Sequence, residues 1–276
     1  MAGRLRAAGH QVELLQVVTT GDRRSAAGAA EASKGLFVKE LEEALLDGRA
    51  DLAVHSAKDL PGELPPGLAI LAVPEREDPR DVLIGPDDGL TGLAPGARIG
   101  TGSPRRAAQI RLARHDITCV EIRGNVGTRL DKLARGEGVD ALMLAAAGLA
   151  RLGLAPHGLT PLDVSVCVPA PGQGALAIEG RADRPDLAEV VALLDDPATA
   201  ACVRAERALL AALGGGCREP IGALGIVDHG VLRLVAFAAS EGGDAHARGD
   251  VVGAASDAQR LGDQLAATLK AQITSP

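Results

Sequence analysis

The first group of residues that could carry chemistry follows a short apolar run. Residues 55–61 hold His55, Ser56, Lys58 and Asp59. Polar groups after a buried strand face the ligand crevice of an open α/β sheet, which makes Asp59 a catalytic candidate. The alternative is a turn in which the Asp59 carboxylate binds backbone amides. His55 is a weaker candidate, because a lone histidine near a strand end is more often structural.

Two further segments combine glycine with paired arginines at predicted strand ends. Residues 100–106 (GTGSPRR) open a predicted helix whose amino terminus suits anions, and glycine in residues 123–129 (RGNVGTR) permits close backbone approach. Arginine binds carboxylates in bidentate fashion, so these segments predict a ligand with several carboxylates or phosphates. The chain has no phosphate loop of the Gly-x-x-x-x-Gly-Lys-Ser/Thr type, and carboxylates fit at least as well. The four arginines are Arg105, Arg106, Arg123 and Arg129.

The alternative for any one of these arginines is a surface ion pair with an acidic neighbour. As residues of a cleft, Arg106 and Arg123 are expected to be exposed. Substituting either one is then expected to impair binding more than stability, because exposed ion pairs contribute little to folding.

Cys217 has the surroundings of a reactive cysteine. It follows three glycines in a loop after a predicted helix, and Arg218 favours its thiolate. Cys119, Cys167 and Cys202 are predicted to be small apolar core residues. The spacing of the four cysteines indicates neither a zinc site nor a disulfide framework, so no metal is predicted.

The charge balance argues against one class of partner. The 36 acidic and 29 basic residues give a net charge of −7, which disfavours a nucleic-acid binder. No run of 18 apolar residues is free of charge or glycine, and no basic segment followed by an apolar core begins the chain. We therefore predict a cytoplasmic protein that does not interact with membranes.

Short apolar runs alternate with helix-like stretches, a pattern typical of α/β architecture. We predict a helix over residues 36–47 that Gly48 ends, and a strand over 51–54. A second helix is predicted over 198–213, entered near Pro197. Segments 74–80 and 169–174 are rich in proline, or in proline and glycine, and suit interdomain crossings.

Seven segments, taken together and in order, resemble the hydroxymethylbilane synthases, also called porphobilinogen deaminases. The resemblance runs from about Val12 to beyond Gly222. Any one segment alone would be weak, whereas seven in the same order argue against coincidence. The segments are residues 34–40, 53–59, 75–81, 100–106, 123–129, 171–175 and 215–217.

The resemblance implies two α/β lobes like those of periplasmic binding proteins, a cleft between them, and a smaller C-terminal α+β domain. The domains would be residues 1–74 with 174–193, residues 79–169, and residues 197–276. It also implies a monomer that condenses four porphobilinogen units head to tail with loss of ammonia, giving hydroxymethylbilane.

The resemblance further implies a dipyrromethane cofactor joined to Cys217 by a thioether. Asp59 would serve the pyrrole nitrogens and the aminomethyl leaving group. The other residues implied at the cofactor are Ser56, Lys58, Thr101, Ser103, Arg105, Arg106, Arg123 and Arg129, and those at the substrate are Phe37, Arg151 and Gln173.

Two departures from the family pattern stand out. The family begins with a strand and an Arg-x-Ser motif that reaches the cleft, whereas Met1 falls in the following helix. We therefore expect a misassigned start or an incomplete chain, with lower stability and activity. Gly102 and Pro104 replace residues common in the family, a change we expect to be tolerated.

Three alternatives remain open. The chain could be a non-catalytic two-lobed module that binds a polycarboxylate small molecule, which leaves Asp59 and Cys217 without a role. It could be a truncated, inactive form of the enzyme. It could also be a phosphate-binding transferase, which the missing phosphate loop disfavours.

Overall fold

The chain forms three β-sheets with helices packed against them. The structure is a computed structural model that describes residues 1–17, 38–215, 220–240 and 245–274. The strands are β1 (Leu52–Ser56), β2 (Leu68–Ala72), β3 (Asp81–Ile84), β4 (Arg98–Gly100), β5 (Thr118–Val120), β6 (Ala141–Ala145), β7 (Leu159–Pro161), β8 (Leu176–Arg181), β9 (Ile221–Asp228), β10 (Val231–Ala239) and β11 (His246–Ala254). The helices are α1 (Ala2–Ala7), α2 (Lys39–Leu46), α3 (Pro104–Ala113), α4 (Val126–Ala134), α5 (Ala146–Arg151), α6 (Pro185–Val191), α7 (Pro197–Ala212) and α8 (Ala258–Thr274).

The first sheet has the order β1-β8-β2, and both strand pairs are antiparallel. Ala72 and Ile178 pack with Leu5 and Val191 in one core cluster. A second cluster joins strand residue Ala177 to Ala57, Leu60 and Val203. Because Val203 belongs to α7, this second cluster fixes that helix against the first sheet.

The second sheet has the order β5-β4-β6-β3-β7. β4 pairs in parallel with β5 and β6, whereas β3 pairs antiparallel with β6 and β7. Successive residues of β3 and β6 enter two different clusters, one around Leu83, Ile99 and Met143 and one around Val82 and Leu144. Apolar packing on both faces explains why these strands read as continuous apolar runs.

The third sheet is an antiparallel meander in the order β11-β10-β9. α7 and α8 pack on it through a large apolar cluster that includes Leu209, Leu234 and Leu265. α7 begins where the sequence predicts. The Asp196 carboxylate accepts the Thr199 amide at 2.7 Å, and Pro197 occupies the first turn.

The chain crosses between the first and second sheets twice, through residues 74–80 and through the segment ending at Gly174. The crossings are bonded to each other: the Glu77 amide donates to the Gly174 carbonyl at 3.1 Å, and Arg76 Nε donates to the Gln173 carbonyl at 2.8 Å. The first crossing is the predicted segment 74–80, and the second ends in the predicted segment 169–174.

Glu206 of α7 connects these crossings to the third sheet. Its carboxylate is fully buried and accepts both terminal nitrogens of Arg76, at 2.6 and 3.1 Å. It also accepts the amides of Gly172 at 2.6 Å and Gly225 at 2.8 Å. One buried carboxylate thus receives charge-assisted bonds from both crossings and from β9.

The structure confirms the predicted α/β architecture, with helix and strand positions close to those expected. The predicted helix over 36–47 is α2, which begins at Lys39 after the N-cap residue Val38, and the strand over 51–54 is β1. In the described residues, no helix is long and apolar enough to cross a membrane.

Candidate active site

A cavity of about 170 Å³ lies where elements of the three sheets meet. Its walls come from the turn after β1, the start of α3, the second crossing, the end of α7 and the start of β9. Six predicted site residues are therefore brought together. The lining residues are Lys58, Asp59, Ser103, Arg105, Arg106, Ala170, Pro171, Gln173, Leu210 and Ile221.

The position of Asp59 depends on close contact between its turn and the second crossing. Residues Ala57–Asp59 form one 3₁₀ turn, and the Ala57 amide donates to the Ala175 carbonyl at 3.0 Å. Gly172 has a φ of 74°, and a Cβ atom there would lie 2.8 Å from the Ala57 carbonyl carbon. Only glycine fits both this backbone conformation and this contact.

The protein atoms packed around Asp59 and Lys58 shift the pKa values of both side chains. Burial raises the pKa of Asp59, while Lys58 and His55 act in the opposite direction. Burial also lowers the pKa of Lys58, which Asp59 partly offsets. Asp59 is exposed to solvent where it lines the cavity, and Lys58 is half-buried. Asp59 can therefore act both as a carboxylate and as a proton donor.

Arg105 and Arg106 line the cavity, but their guanidinium groups are bound to Asp81. Asp81 Oδ2 accepts Arg105 Nη1 at 2.6 Å, and Oδ1 accepts Arg106 Nε at 2.9 Å. Arg105 also donates to the Val168 carbonyl, and Arg106 to the Met143 carbonyl. The expectation that Arg106 is exposed is therefore wrong: only 7% of its surface is accessible, because a buried carboxylate draws it inward.

Asp81 is a residue that the sequence analysis did not single out. Burial alone would raise the pKa of Asp81, but Arg105 and Arg106, with a hydrogen bond from Gln173, outweigh burial and hold it well below its usual range. Gln173 Nε2 donates to Asp81 Oδ1 at 2.9 Å and to the Pro79 carbonyl at 2.8 Å. The available signal was an acidic residue at the start of the apolar run Val82–Ile84.

The remaining predicted arginines, Arg123, Arg129 and Arg151, do not line the cavity. Arg129 Nε donates to the Gly124 carbonyl at 2.7 Å, and burial followed by nearby Arg106 lowers its pKa. Arg123 is exposed, as expected, and donates to Glu121 at 2.6 Å. Arg151 donates to the Gly174 carbonyl at 2.7 Å.

The hydroxyl groups of Thr101 and Ser103 accept hydrogen bonds from nearby backbone amides. Thr101 Oγ1 accepts the Ser103 amide at 3.2 Å. Ser103 Oγ accepts the Arg106 amide and caps α3. Ser56 ends β1 and does not line the cavity. Cys217 and Phe37 lie outside the described residues.

The cysteines expected in the core are there. Cys167 is completely buried and Cys202 is 6% exposed, while Cys119 is half-buried against the second sheet's core. Burial raises the pKa of Cys167 to about 12 and that of Cys202 to about 11. In the described part of the chain, no three His, Cys, Asp or Glu side chains are grouped where they could hold a metal ion.

Comparison with solved structures gives distant likenesses. A periplasmic solute-binding protein from Desulfovibrio salexigens is 15% identical, with a TM-score of 0.37 over 63% of this chain and 64% of that one. An amino-acid transporter substrate-binding protein from Streptococcus pneumoniae is 18% identical, with a TM-score of 0.33 over 62% and 72%. These likenesses are too distant to define the fold, which the sheet topology of the chain itself defines.

Comparison with protein families and characterised sequences is decisive. Residues 1–189 match the family model of the porphobilinogen deaminase dipyrromethane cofactor-binding domain, and residues 200–271 match that of its C-terminal domain. The porphobilinogen deaminase of Acidothermus cellulolyticus is 51% identical over 275 residues, covering 98% of this chain and 83% of that protein. The porphobilinogen deaminase of Pelobacter propionicus is 47% identical over 257 residues, covering 93% and 83%. The chain therefore belongs to the porphobilinogen deaminase family.

Proposed function

We propose that the cavity beside Asp59 is where porphobilinogen units are joined, with Asp59 as the catalytic carboxylate. The chain is a transferase of the hydroxymethylbilane synthase type, which condenses four porphobilinogen units head to tail with loss of ammonia. The observation that carries the site assignment is a cleft carboxylate beside a lysine and two guanidiniums, at the junction of all three sheets.

The residues around the cavity fit the dipyrromethane cofactor of the family. Lys58 and the two arginines supply positive charge where acetate and propionate side chains need it. Ile221 lines the cavity, and Cys217 is four residues away, a chain length that spans at most about 14 Å. We propose that Cys217 holds the cofactor by a thioether. When bound, the cofactor supplies the pyrrole to which the first substrate unit is joined.

Asp59 acts on the substrate's aminomethyl group. Its proton goes to the departing amine, and the carboxylate then faces the positive charge that develops on the electron-poor pyrrole. The raised pKa of Asp59 favours the first role, because a group that holds its proton more tightly is protonated in a larger fraction of molecules near neutral pH. The second role strengthens when bound cofactor and substrate displace water from around the Asp59 carboxylate.

The other predicted site residues have positioning and binding roles in this proposal. Lys58, Arg105 and Arg106 bind carboxylates of the ligand, while Asp81 keeps both guanidiniums in place. Arg123, Arg129 and Arg151 extend the positive surface around the cavity. Ser56, Thr101, Ser103, Phe37 and Gln173 remain proposed contacts of the cofactor or substrate.

We also propose that the three sheets mark three domains, over residues 1–74 with 174–193, 79–169 and 197–276. The enzyme is proposed to be a cytoplasmic monomer that binds no nucleic acid, in keeping with its net charge of −7. Cell fractionation and light scattering of the purified protein test location and oligomeric state.

Two variants test the assignment of the site. Asp59→Asn is expected to keep the covalent cofactor mass but to lose at least about a hundredfold in turnover, since the carboxylate acts on charge that develops during reaction. Cys217→Ala is expected to lose the cofactor mass by intact mass spectrometry, and the matched Cys119→Ala is expected to keep it. Near-normal turnover of Asp59→Asn, or cofactor mass retained in Cys217→Ala, would refute the corresponding role. Cofactor-free wild-type protein would instead favour a binding module.

A further inference from the structure

A second cavity, of about 420 Å³, lies between β2 and α7. Its volume falls within the range of about 300–1,000 Å³ that small-molecule sites occupy. Ile70 and Val73 on one side, with Val203 and Ala208 on α7, give it apolar walls. None of its lining residues lines the cavity at Asp59.

Arg207 places an unsatisfied cationic donor in this wall. Its Nη2 donates to the Gly62 carbonyl at 3.0 Å, but its Nη1 is buried and has no hydrogen-bond partner among the described residues. Burial lowers the pKa of Arg207, and Glu179 only partly offsets this effect. A buried N–H group of a cation without an acceptor is costly, so an acceptor supplied by a ligand would be favoured.

Arg204 lies three residues earlier on α7 and lines the same cavity. Side chains at this spacing are neighbours on a helix face, so the two guanidiniums present one cationic edge. Arg204 is exposed and, within the described part of the chain, makes no hydrogen bond or ion pair. Two guanidiniums with unused donors beside apolar walls suit an amphipathic anion.

Two acidic residues on the lining restrict the charge of that anion. Asp195 accepts the Val73 amide at 2.7 Å, and Glu63 lies at an exposed position. Both would repel a second or third carboxylate on the ligand. The cavity at Asp59, by contrast, has Asp59 as its only acidic lining residue in the described chain, and three cationic ones.

We propose that the cavity between β2 and α7 binds a small monocarboxylate with a short apolar body. The carboxylate accepts hydrogen bonds from Arg204 and Arg207, and the apolar body packs against Ile70 and Val203. Such a ligand would contact both the first sheet and the helix that leads to Cys217.

The proposal is tested by titrating the protein with sodium hexanoate and measuring binding by calorimetry and ligand-observed NMR. Hexanol and hexylamine serve as neutral and cationic probes of the same length. We expect hexanoate to bind more tightly than hexanol and hexylamine. Arg204→Gln and Arg207→Met should each weaken the affinity for hexanoate by about tenfold or more. Because Arg207 also holds the Gly62 carbonyl, the exposed Arg204→Gln is the variant not expected to affect folding.

Two control variants separate this site from other positive surfaces. Arg233→Gln removes an exposed arginine of the third sheet, and Lys58→Met removes a cation that lines the cavity at Asp59; neither is expected to change hexanoate affinity. Equal binding of hexanol and hexanoate would overturn the proposal, as would no binding at all or unchanged affinity in Arg204→Gln. Loss of binding in Lys58→Met alone would place hexanoate in the cavity at Asp59 and would equally refute the proposal.

Discussion

Replacing Asp81 by asparagine is expected to destabilise the protein more than any exposed charge change. Asp81 has no accessible surface and accepts bonds from Arg105, Arg106 and Gln173. Asparagine keeps the shape but removes the charge, which leaves two buried guanidiniums without a counter-ion. Breaking a buried ion pair in this way costs about 3–5 kcal/mol.

Urea denaturation of wild type and Asp81→Asn measures this loss. The matched control is Asp78→Asn, whose pair with Arg80 is partly exposed on both sides and is expected to contribute at most about 1 kcal/mol. A loss in Asp81→Asn no larger than in Asp78→Asn would refute the view that Asp81 holds the two arginines in place. Restoration of stability by adding Arg106→Met would support it, since the unpaired charge is then smaller.

The ion pairs of Asp81 with Arg105 and Arg106 also predict how the stability of the protein changes with pH. The pKa of Asp81 is depressed in the folded protein, so its stabilising contribution is fully present above the unfolded value of about 3.9. The contribution is lost as the pH falls from there through the lower folded value. The stability difference between wild type and Asp81→Asn should therefore be constant near neutral pH and shrink below about pH 4.

Three further predictions follow from the site. Gly172→Ala should displace the turn that carries Asp59 and lower turnover by about tenfold or more. In the control Gly153→Ala, the residue also has a positive φ but its Cβ would meet open space, so only the free energy of unfolding should fall, by about 1 kcal/mol. Equal losses of turnover in the two variants would argue against the contact between Gly172 and Ala57. Arg123→Leu should raise the KM for porphobilinogen while changing the free energy of unfolding by less than about 1 kcal/mol, because its pair with Glu121 is exposed; a large stability loss with normal KM would make it structural. Cys167 and Cys202 should resist a thiol reagent at pH 8 in the folded protein, as their pKa values of about 12 and about 11 leave little thiolate; rapid labelling of either would contradict their burial.

The positions of the helices and strands were within reach of sequence reasoning because their signals are local. Asp196 and Pro197 mark the start of α7, and the apolar run at 141–144 marks β6. Residues 57–59 and 103–106 follow strands of different sheets and meet at one cavity, as crevice residues of open α/β sheets are expected to do.

The burial of Arg106 was out of reach because its cause is distant in the chain. Asp81 lies 25 residues before Arg106, and Gln173, which donates to the same carboxylate, lies 92 residues after Asp81. Nothing in the pattern around residues 100–106 distinguishes an arginine facing the cleft from one drawn onto a buried carboxylate. Gly172 is similar, because its requirement for glycine comes from contact with Ala57, and the whole second sheet lies between the two residues in the chain.

The contacts around Gln173 connect the crossings to the chemistry. Asp59 belongs to the first sheet, whereas Arg105 and Arg106 are held by Asp81 at the start of β3 in the second. The Gln173 side chain bonds Asp81 and its carbonyl accepts Arg76, so the arginines are fixed relative to the crossings. Asp59 is fixed through a different contact, that of Ala57 with Ala175. Because Gln173 and Ala175 belong to one short stretch of chain, the same crossing positions both the catalytic carboxylate and the two guanidiniums.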